Sequence, residues 1–158
     1  MAIKIVVDAM GGDHAPKAVV DGVIEAKRAF DVDIILVGKV DIIKKELSRY
    51  KKEAGSIEIV DAPEIIEMHE PAAASVRKKR NSSIVSGIEL LKEKKADAFL
   101  SAGNTGAVVC AATLGLRLLS GIERPGISLV VPTLKDLALI IDVGANIGYY
   151  TVIGADIV

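Results

Sequence analysis

The sequence predicts an α/β chain, a three-layer sandwich around a mainly parallel sheet. Three observations carry that expectation. Strand-like and helix-like segments alternate along the 158 residues. Hydrophobic residues make up 51 % but aromatics only 3 %, so the core is Ile, Val, Leu and Ala, which suits strands covered on both faces. Glycine-rich turns stand directly between strands and helices, where open α/β sheets bind ligands.

The elements follow in order. Residues 3–7 read as a central strand, and Pro16 suits the first turn of a helix over 16–30. Val19, Val20, Val23, Ile24 and Ala26 give that helix one apolar face. Residues 33–37 form a second strand ended by Gly38. Asp41 is placed to cap a helix reaching Glu53, with Ile42, Ile43 and Leu47 inward and Gly55 as its stop. Residues 57–60 form a third strand. An irregular arm over 61–81 holds Pro63, His69, Pro71 and a basic run, with a short helix over 72–79. Ser82 or Ser83 caps a helix to Lys94, and residues 98–100 are a fourth strand. A small apolar helix over 105–119 is expected to be buried on more than one side. Residues 127–131 and 137–141 are two further strands.

Composition excludes several classes. A net charge of −1 gives no global argument for nucleic acid. A single cysteine, Cys110, rules out an internal disulfide framework and reads as a small core residue. The longest apolar run, 107–116, falls short of the ~20 residues of a membrane span. The N-terminus meets Asp8 too early for a signal core, so a cytoplasmic protein is expected. No cofactor and no metal site are expected.

Two loops carry the chemistry. The first is Asp8-Ala9-Met10-Gly11-Gly12-Asp13-His14-Ala15-Pro16. Two carboxylates and an imidazole at the end of a central strand exceed what a plain turn needs. His14 titrates near neutrality when unperturbed, which suits phosphate binding or proton transfer. Asp8 and Asp13 are placed to orient His14 or the loop. The second is Ser101-Ala102-Gly103-Asn104-Thr105-Gly106-Ala107, which opens a helix with hydroxyls, an amide and two glycines. Backbone N–H groups in such a turn cradle phosphate, with Ser101, Asn104 and Thr105 side chains beside them. An ordinary N-cap explains one of these residues, not the set. No Gly-Lys-Ser/Thr follows, so this is not a Walker loop, and no Gly-x-Gly-x-x-Gly follows the first strand. A third turn, Asp142-Val143-Gly144-Ala145-Asn146, follows the last of these strands. The run Arg77-Lys78-Lys79-Arg80 is either a solvated face or a dock for an acidic partner. His69 reads as a surface residue.

At these residues the chain resembles the phosphate acyltransferases of bacterial phospholipid synthesis. The resemblance runs from the N-terminus to about residue 147, and the two loops are its most specific parts. Asn81-Ser82-Ser83, Gly121-Ile122-Glu123-Arg124-Pro125 and Pro132-Thr133-Leu134 add to it. It implies a fold like isocitrate and isopropylmalate dehydrogenases. It also implies that acyl-(acyl carrier protein) and inorganic phosphate give acyl phosphate and free carrier protein. On that reading His14, Asp8 and Asp13 are catalytic. Gly11, Gly12, Ser101, Gly103, Asn104, Thr105, Gly106, Asp142 and Asn146 hold phosphate, and Arg77, Lys78 and Lys79 meet the acidic carrier. A homo-oligomer and peripheral membrane contact are implied as well. The expected domain spans 1–147, followed by an atypical tail over 148–158.

The tail departs from the family pattern. With the third glycine turn it resembles the first motif of an S-adenosylmethionine methyltransferase, but too few residues follow to complete a cofactor pocket. Family members are about twice as long, so the chain is expected to lack one wall of the cleft. The alternative to an impaired acyltransferase is a non-catalytic phosphate-binding fragment. A sheet cut at its edge also predicts self-association.

Overall fold

The computed structural model describes residues 2–50 and 52–141 and the strand Val152–Gly154. The chain forms two compact units, 1–117 and 118–158. The expected boundary at residue 147 lies outside the described residues.

The first unit is built on a four-stranded parallel sheet in the order β3-β2-β1-β4. Its strands are β1 (Ile3–Asp8), β2 (Val32–Gly38), β3 (Glu58–Asp61) and β4 (Ala98–Leu100). In register, Val7 lies beside Leu36 on one side and Leu100 on the other. Because side chains alternate across a strand, β1 and β2 each bury residues on both faces of the sheet. Val7, Ile34 and Leu36 join Val20, Val23 and Ile24 of α1 (Lys17–Ala29) and Ile43 and Leu47 of α2 (Val40–Leu47). Val6, Ile35 and Val37 face the other way, toward Leu90 of α4 (Ser83–Lys92). A further cluster joins α3 (Ala72–Lys78), α4 and α5 (Thr105–Leu116) through Val76, Ile84, Ile88, Ala107 and Ala111. Cys110 is half-buried against this cluster, as a small packing residue.

Some boundaries differ from expectation, each for a local reason. Asp41 does not cap α2: Lys39 holds that position, and Asp41 sits in the first turn, where its charge favours the helix dipole. Ile42 is exposed, not inward. The helix stops at Leu47 rather than Glu53 because the chain tightens there: Ser48 Oγ donates to the Lys45 carbonyl and the Tyr50 N–H to the Leu47 carbonyl. Gly55 falls in a 3₁₀ turn, Ala54–Ser56. Tyr50 then donates its hydroxyl to Asp21, which also accepts from Arg49 and Lys17, tying α1 to the chain after α2. Ser82 is the cap of α4, its Oγ accepting from the Val85 N–H. The α5 helix ends at Leu116, before Arg117 at φ +69°, and buries only Ala107 and Ala111 fully.

The second unit is antiparallel, which the alternation of elements did not predict. Strands β5 (Ser128–Pro132) and β6 (Leu137–Ile141) pair as a hairpin, and β7 (Val152–Gly154) pairs antiparallel with β6. The connector, Thr133 to Asp136, is too short for a crossover between parallel strands. Thr133 closes it, its Oγ1 donating to the Asp136 carbonyl at 2.6 Å. Leu129, Val130, Leu134 and Leu137 are exposed on this unit.

Gly87 tests the packing of the sheet on α4. A Cβ there would stand 2.3 Å from Cε2 of Phe99. Overpacking costs ~1–3 kcal/mol, against ~1 kcal/mol gained when a mid-helix glycine becomes alanine. Gly87→Ala is therefore expected to lower stability by about 1 kcal/mol, seen as an earlier urea midpoint at unchanged slope. A later midpoint would refute the close contact.

Candidate functional site

Strands β1 and β4 are neighbours, so the two glycine loops leave the sheet side by side at its carboxyl edge. Asp8 joins them. Its carboxylate is 1 % exposed; Oδ1 accepts the Met10 N–H at 2.9 Å and Oδ2 accepts the Ser101 hydroxyl at 2.7 Å. Ser101 Oγ also accepts the Gly103 N–H at 3.0 Å. A buried charge is tolerable only when so satisfied.

The glycines allow this approach. A Cβ on Gly11 would lie 2.6 Å from Asp8 Oδ2 and 2.7 Å from the Gly103 nitrogen. Gly12 takes φ +103°, a conformation side chains resist, with Ala102 against it. The loops therefore touch backbone to backbone, and His14 and Asp13 project beyond the contact, both exposed. Among the described residues, neither Asp8 nor Asp13 hydrogen-bonds the His14 imidazole. Asp8 orients the loops, not the histidine, because both its oxygens are taken.

The second loop divides by role. Asn104 is 7 % exposed and caps α5, its Oδ1 accepting the Ala107 N–H at 3.0 Å. Its Nδ2 faces the carbonyls of Glu67 (3.1 Å), Met68 (3.3 Å) and Glu70 (3.1 Å). The side chains of Asn104 and Ser101 are thus engaged in bonds within the protein. Thr105 and Gly106, in the first turn of α5, are exposed. Their N–H groups stand at the positive end of a twelve-residue helix. Asp142 and Asn146 lie outside the described residues.

The arm packs onto this helix. Ala72 Cβ would meet a Cβ on Gly106 at 3.1 Å, and Val76 joins Ala107 in one cluster. Arg77 and Lys78 are exposed. Lys79 is not: its ammonium turns inward to the Ile65 carbonyl at 2.6 Å and to Glu70. It therefore staples the arm, while Arg77 and Lys78 stay in water. The Glu70–Lys79 pair and the arm carbonyls held by Asn104 escaped the sequence reading, because their spacings follow no helical or strand period. Among the described residues no group of three His, Cys, Asp or Glu side chains is placed to hold a metal ion, and no helix is long and apolar enough to cross a membrane.

The fold of parallel sheet and flanking helices is phosphotransacetylase-like. A phosphotransacetylase from Streptococcus pyogenes superposes with a TM-score of 0.61 at 20 % identity, covering 87 % of this chain and 46 % of that one. One from Staphylococcus aureus gives 0.54 at 21 % identity. The sequence goes further. The model of the fatty acid synthesis protein family matches residues 3–150, and this chain belongs to that family. A phosphate acyltransferase of Dictyoglomus turgidum is 51 % identical over 146 residues, which are 92 % of this chain and 44 % of that protein. One from Alkaliphilus oremlandii is 44 % identical over 144 residues. The chain thus spans less than half the length of these curated relatives.

Two outcomes follow from the site. Asn104→Asp keeps the cap acceptor and removes the donor facing the arm, and leaving these part-buried carbonyls without it costs ~1 kcal/mol. Proteolysis within 67–70 is expected to quicken about tenfold while α5 stays helical by circular dichroism; unchanged proteolysis would refute the latch. Lys79 holds the Glu70 carboxyl below its ordinary 4.5, with desolvation opposing. Because the folded-state value is the lower one, this stabilisation is complete above the ordinary value and drains away as pH falls through the lowered one. Lys79→Met should therefore flatten the fall in stability between about pH 5 and about pH 3. Parallel curves for variant and parent would count against the pair.

Proposed function

We propose that this chain carries the phosphate-holding wall of an acyl-transfer cleft, in which inorganic phosphate takes the acyl group of acyl-(acyl carrier protein). The observation behind the proposal is the junction of the two loops through Asp8 and Ser101, with Gly11 against Gly103. It brings a histidine-bearing loop and a helix N-terminus to one sheet edge. The names of the relatives support the same chemistry.

A phosphate oxygen adds to the thioester carbonyl carbon, and the carbonyl electron pair moves onto its oxygen. Collapse of that intermediate breaks the C–S bond and leaves an acyl phosphate. The departing thiolate, of a thiol with pKa about 8.5, takes a proton from solution to give the free carrier protein. Phosphate is already an anion near neutrality, so the protein's task is placement and charge stabilisation rather than covalent help. We assign phosphate to the free N–H groups of Thr105 and Gly106 and to the Thr105 hydroxyl, at the positive end of α5. We assign His14, exposed on the first loop, the role of a donor to phosphate or to the developing oxyanion. Asp8, Ser101 and Asn104 hold those groups in place. Arg77 and Lys78, exposed on α3 beside α5, meet the acidic carrier.

The reading is checked by trapping acyl phosphate with hydroxylamine, using this chain and the Dictyoglomus turgidum enzyme in parallel. Replacing the residue aligned with His14 by alanine in that enzyme is expected to cut turnover roughly 100-fold. Undiminished turnover would remove His14 from the chemistry. Phosphate binding without turnover by the 158-residue chain would make it a phosphate-binding fragment that needs a second wall.

A further inference from the structure

One sheet face is incompletely covered. A trough of about 590 Å³ runs beside α1, from Phe30 and Val32 at one end to Asp8, Ser101 and Ala102 at the other. Its floor is Ile5, Val7, Ile34 and Leu100, and α1 is its wall. Leu100, on β4, is 61 % exposed. Parallel sheets are normally covered by helices on both faces, and the opposite face here already carries α4.

The wall shows what kind of cover fits. Ala18, Gly22 and Ala26 recur every four residues and line the trough together. Gly22 is mid-helix, where glycine costs stability, and nothing lies within 4 Å of where its Cβ would be. No backbone strain or local contact calls for glycine there. A smooth strip of small side chains lets a second helix approach closely, ridge into groove. Relatives extend well beyond the matched region, which is only 44 % of the Dictyoglomus turgidum protein.

We infer that the trough seats an α-helix belonging to the part of the longer family members that lies outside the matched region, packed against the strip Ala18–Gly22–Ala26. The occupant is polypeptide, not a substrate chain and not a second copy of this unit. The inference rests on family membership and leaves the catalytic reading aside.

Cysteine accessibility tests it. Ala18→Cys and Ala26→Cys are made separately in a Cys110→Ala background, with Ser48→Cys on the outer side of α2 as reference. Each is placed in the 158-residue chain and in a chimera joining its residues 1–146 to the remainder of the Dictyoglomus turgidum enzyme. Maleimide labelling of the two trough cysteines is expected to be at least a hundredfold slower in the chimera, without any substrate, while Ser48→Cys labels equally in both. Equal rates at the trough positions would overturn the inference. So would protection that appears only on adding a dodecanoyl thioester, which would make the trough an acyl site. Protection in the short chain that grows with its concentration would overturn it in favour of self-association. Should the chimera not fold, cysteines at the aligned positions of the intact Dictyoglomus turgidum enzyme give the same reading.

Discussion

The buried carboxylate of Asp8 is the constraint on which the rest of the site depends. It sits at the last residue of the central strand and bonds the first residue after β4. A buried polar group there is tolerable only with its hydrogen-bond partners present, so the two loops close on it together. Gly11 and Gly103 follow from that closure, since any side chain on Gly11 would collide with Asp8 or with the facing backbone. The order β2-β1-β4 follows too, because only adjacent strands deliver their loops to one carboxylate.

A second layer of constraint starts at Asn104. One side chain both caps α5 and binds three carbonyls of the arm. The α5 helix is thereby locked to the segment carrying Arg77 and Lys78. Glu70 and Lys79 secure the same arm from within. Polar side chains that resemble ligands in the sequence are thus mostly structural. Thr105 and His14, by contrast, are exposed.

Much of the first unit was legible because its signals are local. Strand 98–100, the Ser82 cap and the short helix after Pro71 each rest on a run of apolar residues, a hydroxyl or a proline at a diagnostic place. The adjacency of the two glycine loops was not legible, because strand order is set by long-range packing. The division of Ser101 and Asn104 from Thr105 and Gly106 was hidden for the same reason: a hydroxyl or amide shows its chemistry in sequence but not its partner. The antiparallel β5–β6 pair was misread as part of the alternation, although the short connector from Thr133 to Asp136 already demanded a hairpin. Lys79 shows the limit of reading charge runs, since one residue of four turned inward while its neighbours stayed in water.

The arm begins and ends at nearly the same point. Glu64 bridges Ser82, its N–H reaches the Asn81 carbonyl, and its carboxylate takes the Asn81 N–H. A loop closed at its own neck has fixed ends, so its exposed side chains, those of Glu67 and Met68 among them, can change while Asn104, Lys79 and Val76 keep the arm in place. Evolution can therefore rewrite the outer surface of the arm without renegotiating how the chain folds.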